Sequence, residues 1–383
     1  MKIVADKDIP LVEYLFSRIG EVTLVNGRCI DHELIHDAEV LIIRTVTRIT
    51  KELLRGSKVR IVASATSGVD HVDLELLREQ GIKFIHAPGA NARPVAEYVL
   101  SALCVLASQD GFDLREKQVG IIGCGNTGGC LLRLLRSMGI ECLVNDPPLR
   151  DKTGSADYSD LGKILSADII TLHVPLVKGG SYPTGNLVDK SFLSTLKPDA
   201  ILINTSRGEV VDEAALLTFL KGNPEARVVL DVWRNEPGIQ MPLLDRVTIG
   251  TPHIAGYSLE GKIRATELVF SQVCDILGMD GAGDSAPYPG FKTFKTGISF
   301  TAIDDQNEIL RLAVLAGYDV RSDCAALKRM LALNDSQRCE YFDDLRKTST
   351  LRREFSSMTV RLPPGYHELR KQLSALGFEV AES

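Results

Sequence analysis

Three side chains in this sequence have the chemistry to take a hydride and a proton from a secondary alcohol without a metal: Arg207, Glu236 and His253. A hydride leaves carbon only if the hydroxyl proton is removed at nearly the same moment, and histidine suits that removal at neutral pH. His253 stands in Thr251-Pro252-His253-Ile254-Ala255-Gly256-Tyr257, where proline and glycine fix it on a loop. Glu236 can accept the second imidazole N–H, which holds the tautomer and favours the protonated ring. Arg207, in Asn204-Thr205-Ser206-Arg207-Gly208, offers a planar fork for a substrate carboxylate, and its charge polarises an adjacent 2-oxo group. Taken singly, each also fits a structural role: a core histidine, a turn glutamate before Pro237, an ion-paired arginine.

Such residues need a sheet edge to stand on and an acceptor for the hydride. The apolar run Val119 to Ile122 reads as a buried strand, broken at Gly123, Gly125 and Gly128 before a helical pattern at Leu131, Leu132, Leu134, Leu135 and Met138. A second run, Ile140 to Val144, ends beside Asp146. Strand, glycine turn, helix, strand and acid together form a dinucleotide fingerprint. The glycines admit a tight turn and a pyrophosphate, the helix start offers free N–H groups, and the acid accepts from the ribose hydroxyls. An acid there repels a 2′-phosphate, so the expected cofactor is NAD rather than NADP.

The same alternation of strands and helices runs through the first 280 residues and predicts parallel sheets. Arg44, Thr45, Thr66, Ser67 and Gly68 follow strands, at the edge where open α/β sheets bind ligands. A mostly apolar helix from Pro94 to Ala107 is expected to lie buried between two domains. Pro147-Pro148 is read as the end of a strand followed by a polar loop, and the stretch from Glu236 to Val247 as another loop. Residues 280–290, DGAGDSAPYPG, read as a linker. The last ninety residues, with helices near Glu308 to Ala316, Asp343 to Lys347 and Tyr366 to Leu376 and a strand at Met358 to Leu362, read as a small α+β module serving an oligomer contact.

Of 383 residues, 44% are hydrophobic and 25% charged, and the net charge is −6, which argues against nucleic acid as a partner and for a small molecule. The eight cysteines form no CxxC pair, so zinc is not expected. No apolar stretch is long enough for a bilayer, and charge at Asp6, Lys7 and Asp8 interrupts any signal peptide, so the expected location is cytoplasmic.

The set GCGNTG, INTSRG, DVW-x-x-EP and TPHIAG, in this order, closely resembles the D-isomer-specific 2-hydroxyacid dehydrogenase family over residues 1 to about 280. The resemblance implies NAD-dependent oxidation of a 2-hydroxy acid, here a small phosphorylated one. It implies Arg207, Glu236 and His253 as catalytic residues. Arg44, Thr45, Thr66 and Tyr257 are candidates at the substrate. Gly123, Gly125, Asn126, Thr127, Gly128, Asp146, Val174, Asp231 and Gly256 are candidates at NAD. Position 45 is Thr where Ser is expected and 174 is Val where Thr is expected, which leaves backbone at 174 as the cofactor contact.

The implied architecture is a flavodoxin-like α/β substrate domain from residues 1–93, a Rossmann-type parallel-sheet nucleotide domain at 94–255, a return helix at 256–282 and a C-terminal α+β domain at 283–383 that forms a homodimer. Two alternatives remain at this stage: another D-2-hydroxyacid dehydrogenase, such as one for 3-phosphoglycerate, or a non-catalytic NAD-sensing corepressor. If Arg207 holds the carboxylate, a phosphate needs a second cation. Arg44 is the first choice, and Arg352 or Arg353, from the basic cluster Arg346, Lys347, Arg352 and Arg353, is expected to reach into a partner subunit.

Overall fold

The computed structural model describes residues 1–279, 295–301, 303–349 and 352–382. The linker expected at 280–290 and the boundary expected at 282–283 lie outside them. The chain forms two compact units, Met1–Asn91 with Ser258–Lys292, and Ala92–Tyr257 with Thr293–Ser383.

In the first unit, β1 (Lys2–Asp6), β2 (Glu21–Val25), β3 (Val40–Ile43), β4 (Ile61–Ser64) and β5 (Lys83–His86) form a parallel sheet in the order β2-β1-β3-β4-β5, the flavodoxin-like arrangement. All four residues of β3 and of β4 are buried, as strands covered on both faces require. Successive side chains alternate between two cores. Ile3, Ala5, Ile42 and Ala63 pack with Phe16, Val269 and Phe270, whereas Val4, Leu41, Ile43 and Val62 pack with Ile35 and Leu77. Thr50 caps the helix Lys51–Leu54 and Asp73 caps Leu74–Glu79 through their side-chain oxygens. The helix Leu259–Leu277 starts at a Ser258 cap and stops at Gly278, whose φ of 64° suits a left-handed C-terminal residue.

In the second unit, β6 (Gln118–Ile122), β7 (Glu141–Asn145), β8 (Ile169–Leu172), β9 (Ile201–Asn204), β10 (Arg227–Leu230) and β11 (Ile249–Gly250) pair in the order β11-β10-β9-β8-β6-β7, all parallel. A separate parallel sheet joins β12 (Thr296–Ser299), β13 (Met358–Leu362) and β14 (Glu379–Glu382). The helix Ala92–Asp110 is buried nearly all round, and its covering explains why: it packs on the helix Asn126–Ser137 and on the C-terminal helices Gln306–Gly317 and Val320–Lys328. Tyr98, Leu100, Leu103 and Leu106 share one core with Ile309, Val314, Phe355 and Leu373. Polar bonds seal it, since Ser101 Oγ donates to Tyr318 O at 2.8 Å and Glu97 accepts from Phe355 N at 3.1 Å. The apolar surface expected to face a second domain is thus covered by the C-terminal segment.

Two stretches read as loops are helices. Pro147–Thr153 and Met241–Arg246 each carry proline in the first turn, where its missing N–H costs nothing. Among the described residues, no helix is long and apolar enough to cross a membrane.

Candidate active site

The glycine turn follows β6, which lies between β7 and β8. The sheet grows in opposite directions from this point, so a crevice opens at the strands' carboxyl ends. Gly123 has φ 88°, and a Cβ there would lie 2.7 Å from His173 O. A Cβ on Gly128 would run into Gly123 O, so helix and strand approach closely only because both positions lack side chains. Around Gly125, by contrast, no heavy atom lies within 4 Å of the Cβ position. The helix that begins at Asn126 leaves its first-turn N–H groups without intrahelical acceptors. Asp146 stands half-buried beyond β7, with Oδ2 accepting from Cys124 N at 2.7 Å and Oδ1 from Leu149 N at 3.0 Å. Val174 follows β8 and backs Gly123 with its Cγ1. Open space at Gly125, free amides at Asn126 and Thr127 and a tethered carboxylate fit the pyrophosphate and ribose of a dinucleotide.

Neighbouring strands β9, β10 and β11 deliver the remaining candidates from the same edge. Arg207 follows β9, where Asn204 Nδ2 donates to Arg207 O at 3.0 Å and fixes the turn. Gly208 comes so close to the Trp233 backbone that a side chain would overlap it. Asp231 follows β10 directly and is 1% exposed. Its Oδ1 accepts from Thr251 Oγ1 at 2.7 Å and Ile254 N at 2.8 Å, its Oδ2 from Ala255 N at 2.9 Å, and its carbonyl from His253 N at 2.7 Å. Asp231 is therefore the post on which the His253 loop is hung, and only Oδ2, with one donor, keeps spare acceptor capacity. Burial pushes its carboxyl above the ordinary aspartate range, against the pull of His253, the Thr251 hydroxyl and the two amides.

His253 is held with φ 57°, a left-handed conformation uncommon for a residue with a side chain. Its Nδ1 lies 2.7 Å from Glu236 Oε2, while Glu236 Oε1 accepts from Trp233 N at 2.8 Å. Because a carboxylate can only accept, Nδ1 carries the proton and Nε2 presents a lone pair. Burial alone would raise the Glu236 carboxyl, but His253 beside it, the Trp233 amide and Arg346 outweigh this and hold it below the usual glutamate range.

Tyr257, half-buried four residues further on, accepts at its hydroxyl from Arg346 Nη2 at 3.1 Å. Nothing local in the sequence singles out Arg346 within its basic cluster. Arg352, one of the two arginines expected to reach into a partner subunit, is bound within its own chain. Its guanidinium donates to Ala255 O at 3.0 Å and Pro94 O at 2.7 Å and lies 3.7 Å from the centroid of the Tyr318 ring.

The other substrate candidates belong to the first unit. Thr45 is exposed after β3. Thr66 Oγ1 is 2.7 Å from Ser64 Oγ and donates to Gly68 O at 3.1 Å. Arg44 is committed to Asp6, at 2.7 and 3.1 Å, and to Asp8 at 2.6 Å, so most of its charge is met within the protein. Lys262 lies close enough to Arg44 that burial, helped by the arginine's charge, lowers its pKa to about 8.

Residues 104–255 match the family described as D-isomer specific 2-hydroxyacid dehydrogenase, NAD binding domain, and residues 294–377 match one described as a domain of unknown function, DUF3410. The chain is 43% identical to the erythronate-4-phosphate dehydrogenase of Hahella chejuensis over the whole length of both. It is 44% identical to the enzyme of the same name from Photorhabdus laumondii subsp. laumondii, over 99% of each chain. Among solved structures, the NAD+-bound 3-phosphoglycerate dehydrogenase of Entamoeba histolytica superposes with a TM-score of 0.60 at 25% identity, over 73% of this chain and 95% of that one.

Proposed function

From the premise that the chain belongs to the erythronate-4-phosphate dehydrogenases, we propose that Arg207, Glu236 and His253 carry out its reaction at the carboxyl ends of β9 to β11. The reaction is the NAD-dependent oxidation of 4-phospho-D-erythronate to (R)-3-hydroxy-2-oxo-4-phosphooxybutanoate, a step in the formation of pyridoxal 5′-phosphate. NAD, when bound, takes up the hydride released from C2. The protein's part is to hold the substrate carboxylate on Arg207, remove the C2 hydroxyl proton through His253 Nε2 and stabilise the resulting imidazolium with Glu236. Gly123, Gly125, Asn126, Thr127, Gly128 and Asp146 hold the dinucleotide, and Asp231 and Gly256 shape the loop beside it. Thr45, Thr66 and Tyr257 are assigned to the substrate.

The observation that carries these roles is the 2.7 Å contact between His253 Nδ1 and Glu236 Oε2, which leaves one ring nitrogen free to act as base. The test is NADH formation by the purified protein with 4-phospho-D-erythronate, 3-phospho-D-glycerate and D-lactate. Rapid turnover of the first is expected. Preference for another acid would reassign the substrate, and no turnover of any 2-hydroxy acid would favour a binding protein over an enzyme.

We also assign a homodimer contact to the C-terminal segment, whose three-stranded sheet ends in two edge strands, β12 and β14. Sedimentation of the full chain checks this. A cytoplasmic location is proposed from the biosynthetic role.

A further inference from the structure

Arg346 lies in the last turn of the helix Asp335–Thr348, within the segment that matches a domain of unknown function. It is half-buried, yet among the described residues its guanidinium bonds to one acceptor, the neutral Tyr257 hydroxyl, and closes no ion pair. Its Nε is buried without an acceptor. Two carboxylates feel its charge without closing a bond to it, Asp343 on the same helix and Glu236, which is already committed to His253 and to the Trp233 amide; with Tyr257 they outweigh burial and hold the guanidinium's pKa above its ordinary value. Desolvating a guanidinium costs several kcal/mol unless an anion compensates. Two other arginines are more fully engaged. Arg44 is matched by Asp6 and Asp8, and Arg352, whose Nε is likewise buried without an acceptor, gives its other donors to two carbonyls and lies 3.7 Å from an aromatic ring centroid, against 6.0 Å for Arg346 over Tyr257.

We propose that Arg346 is a specificity-determining residue, which receives the phosphate of the substrate beside Tyr257 and so gives the C-terminal segment a direct part in substrate recognition. This rests on the assignment of a phosphorylated 2-hydroxy acid to the site. The division of labour follows from charge. Arg207 takes the carboxylate at one end of the four-carbon substrate, and a second guanidinium with donors to spare takes the dianion at the other. Arginine suits this position because its fork presents two parallel N–H groups to a phosphate.

The test compares full-length wild type, Arg346→Met and Arg346→Lys, each assayed with 4-phospho-D-erythronate and with D-erythronate, and for inhibition by inorganic phosphate. NAD binding, followed through the fluorescence of the single tryptophan, Trp233, reports folding. Loss of a charge-assisted contact should raise KM for the phosphorylated substrate in Arg346→Met by about ten- to a hundredfold. Lysine should recover part of the loss, D-erythronate should lose far less than the phosphorylated substrate, and phosphate should become a correspondingly weaker inhibitor. An equal loss on both substrates would overturn the proposal and leave Arg346 as a support for Tyr257, as would an unchanged KM. Should Arg346→Met fail to bind NAD, the KM ratio of the two substrates in Arg346→Lys decides in the same way. Should wild type prefer another acid, the substrate assignment fails separately, and loss of phosphate inhibition in the variants still decides the role of Arg346.

Discussion

Replacing Glu236 with glutamine changes one oxygen to an amide and tests the pairing of acid and base most directly. The carboxylate makes two bonds, Oε1 from Trp233 N at 2.8 Å and Oε2 with His253 Nδ1 at 2.7 Å. In Glu236→Gln the side-chain oxygen stays on the Trp233 amide, since a buried N–H left alone is costly, and the new NH₂ group faces Nδ1. The ring must then accept at Nδ1 and carry its proton on Nε2, the tautomer that cannot act as base. If the wrong tautomer is favoured by one hydrogen bond, about 1.4 kcal/mol, active rings fall to about a tenth. Loss of the charge that steadied the imidazolium removes about 1.5–3 kcal/mol more before discounting for solvent, because His253 is 34% exposed on its side chain. Together these predict a fall in kcat of about 10² to 10³ at neutral pH, with the acid limb of kcat/KM moved to lower pH. Since Trp233 keeps its acceptor, Tm should change little. Initial rates of NADH formation across pH, with thermal melts of the same preparations, give both readings. A variant with near wild-type kcat and an unmoved profile would refute the pairing, as would one whose lost activity simply follows lost fold.

His253→Ala should lower turnover by about 10² to 10⁴ and leave NAD binding close to wild type, and equal losses measured by rates and fluorescence titration would remove His253 as base. Asp146→Ala should weaken NAD and narrow the preference over NADP in parallel kinetic assays. It should also cost about 1 kcal/mol of stability through the lost cap on Leu149 N. Glu97 supplies a pH dependence away from the chemistry, because burial raises its carboxyl to about 7, against the pull of Arg93 and Arg352. A carboxyl raised above its unfolded value stabilises most when protonated, so this contribution is full at acid pH and is lost as pH rises through about 7. Glu97→Gln should therefore show a flatter fall of Tm between about pH 5 and pH 8 than wild type, and parallel curves would count against it.

Short-range rules made the nucleotide turn legible. Gly123, Gly125, Gly128 and Asp146 sit at fixed offsets because one strand, one helix and the next strand are consecutive in the chain. His253 and Glu236 could be paired for a related reason, since each follows a strand and parallel strands present their carboxyl ends together. Pro147 and Pro242 misled because a proline that ends a strand and one that opens a helix look alike without the cap before them. Arg346 was out of reach of such rules. Its bond to Tyr257 spans 89 residues, and in the sequence it stands in a basic cluster that reads equally well as an interface. For Arg352 the same ambiguity hid bonds within its own chain, because nothing local shows that Pro94 O, 258 residues away, will accept from it.

The helix Ala92–Asp110 also sets a schedule for the chain's own synthesis. Ser101 must wait for Tyr318, 217 residues later, before its hydroxyl finds its carbonyl and the surrounding apolar surface is covered. At ribosomal speeds of about 5–20 residues per second, that interval lasts about 10–40 s. For that time a nascent chain holding every dehydrogenase motif exposes one of its most hydrophobic helices, a natural client for a holding chaperone. A message truncated after the His253 loop would encode all the chemistry and release a product with that surface permanently bare, fit for aggregation or proteolysis before catalysis.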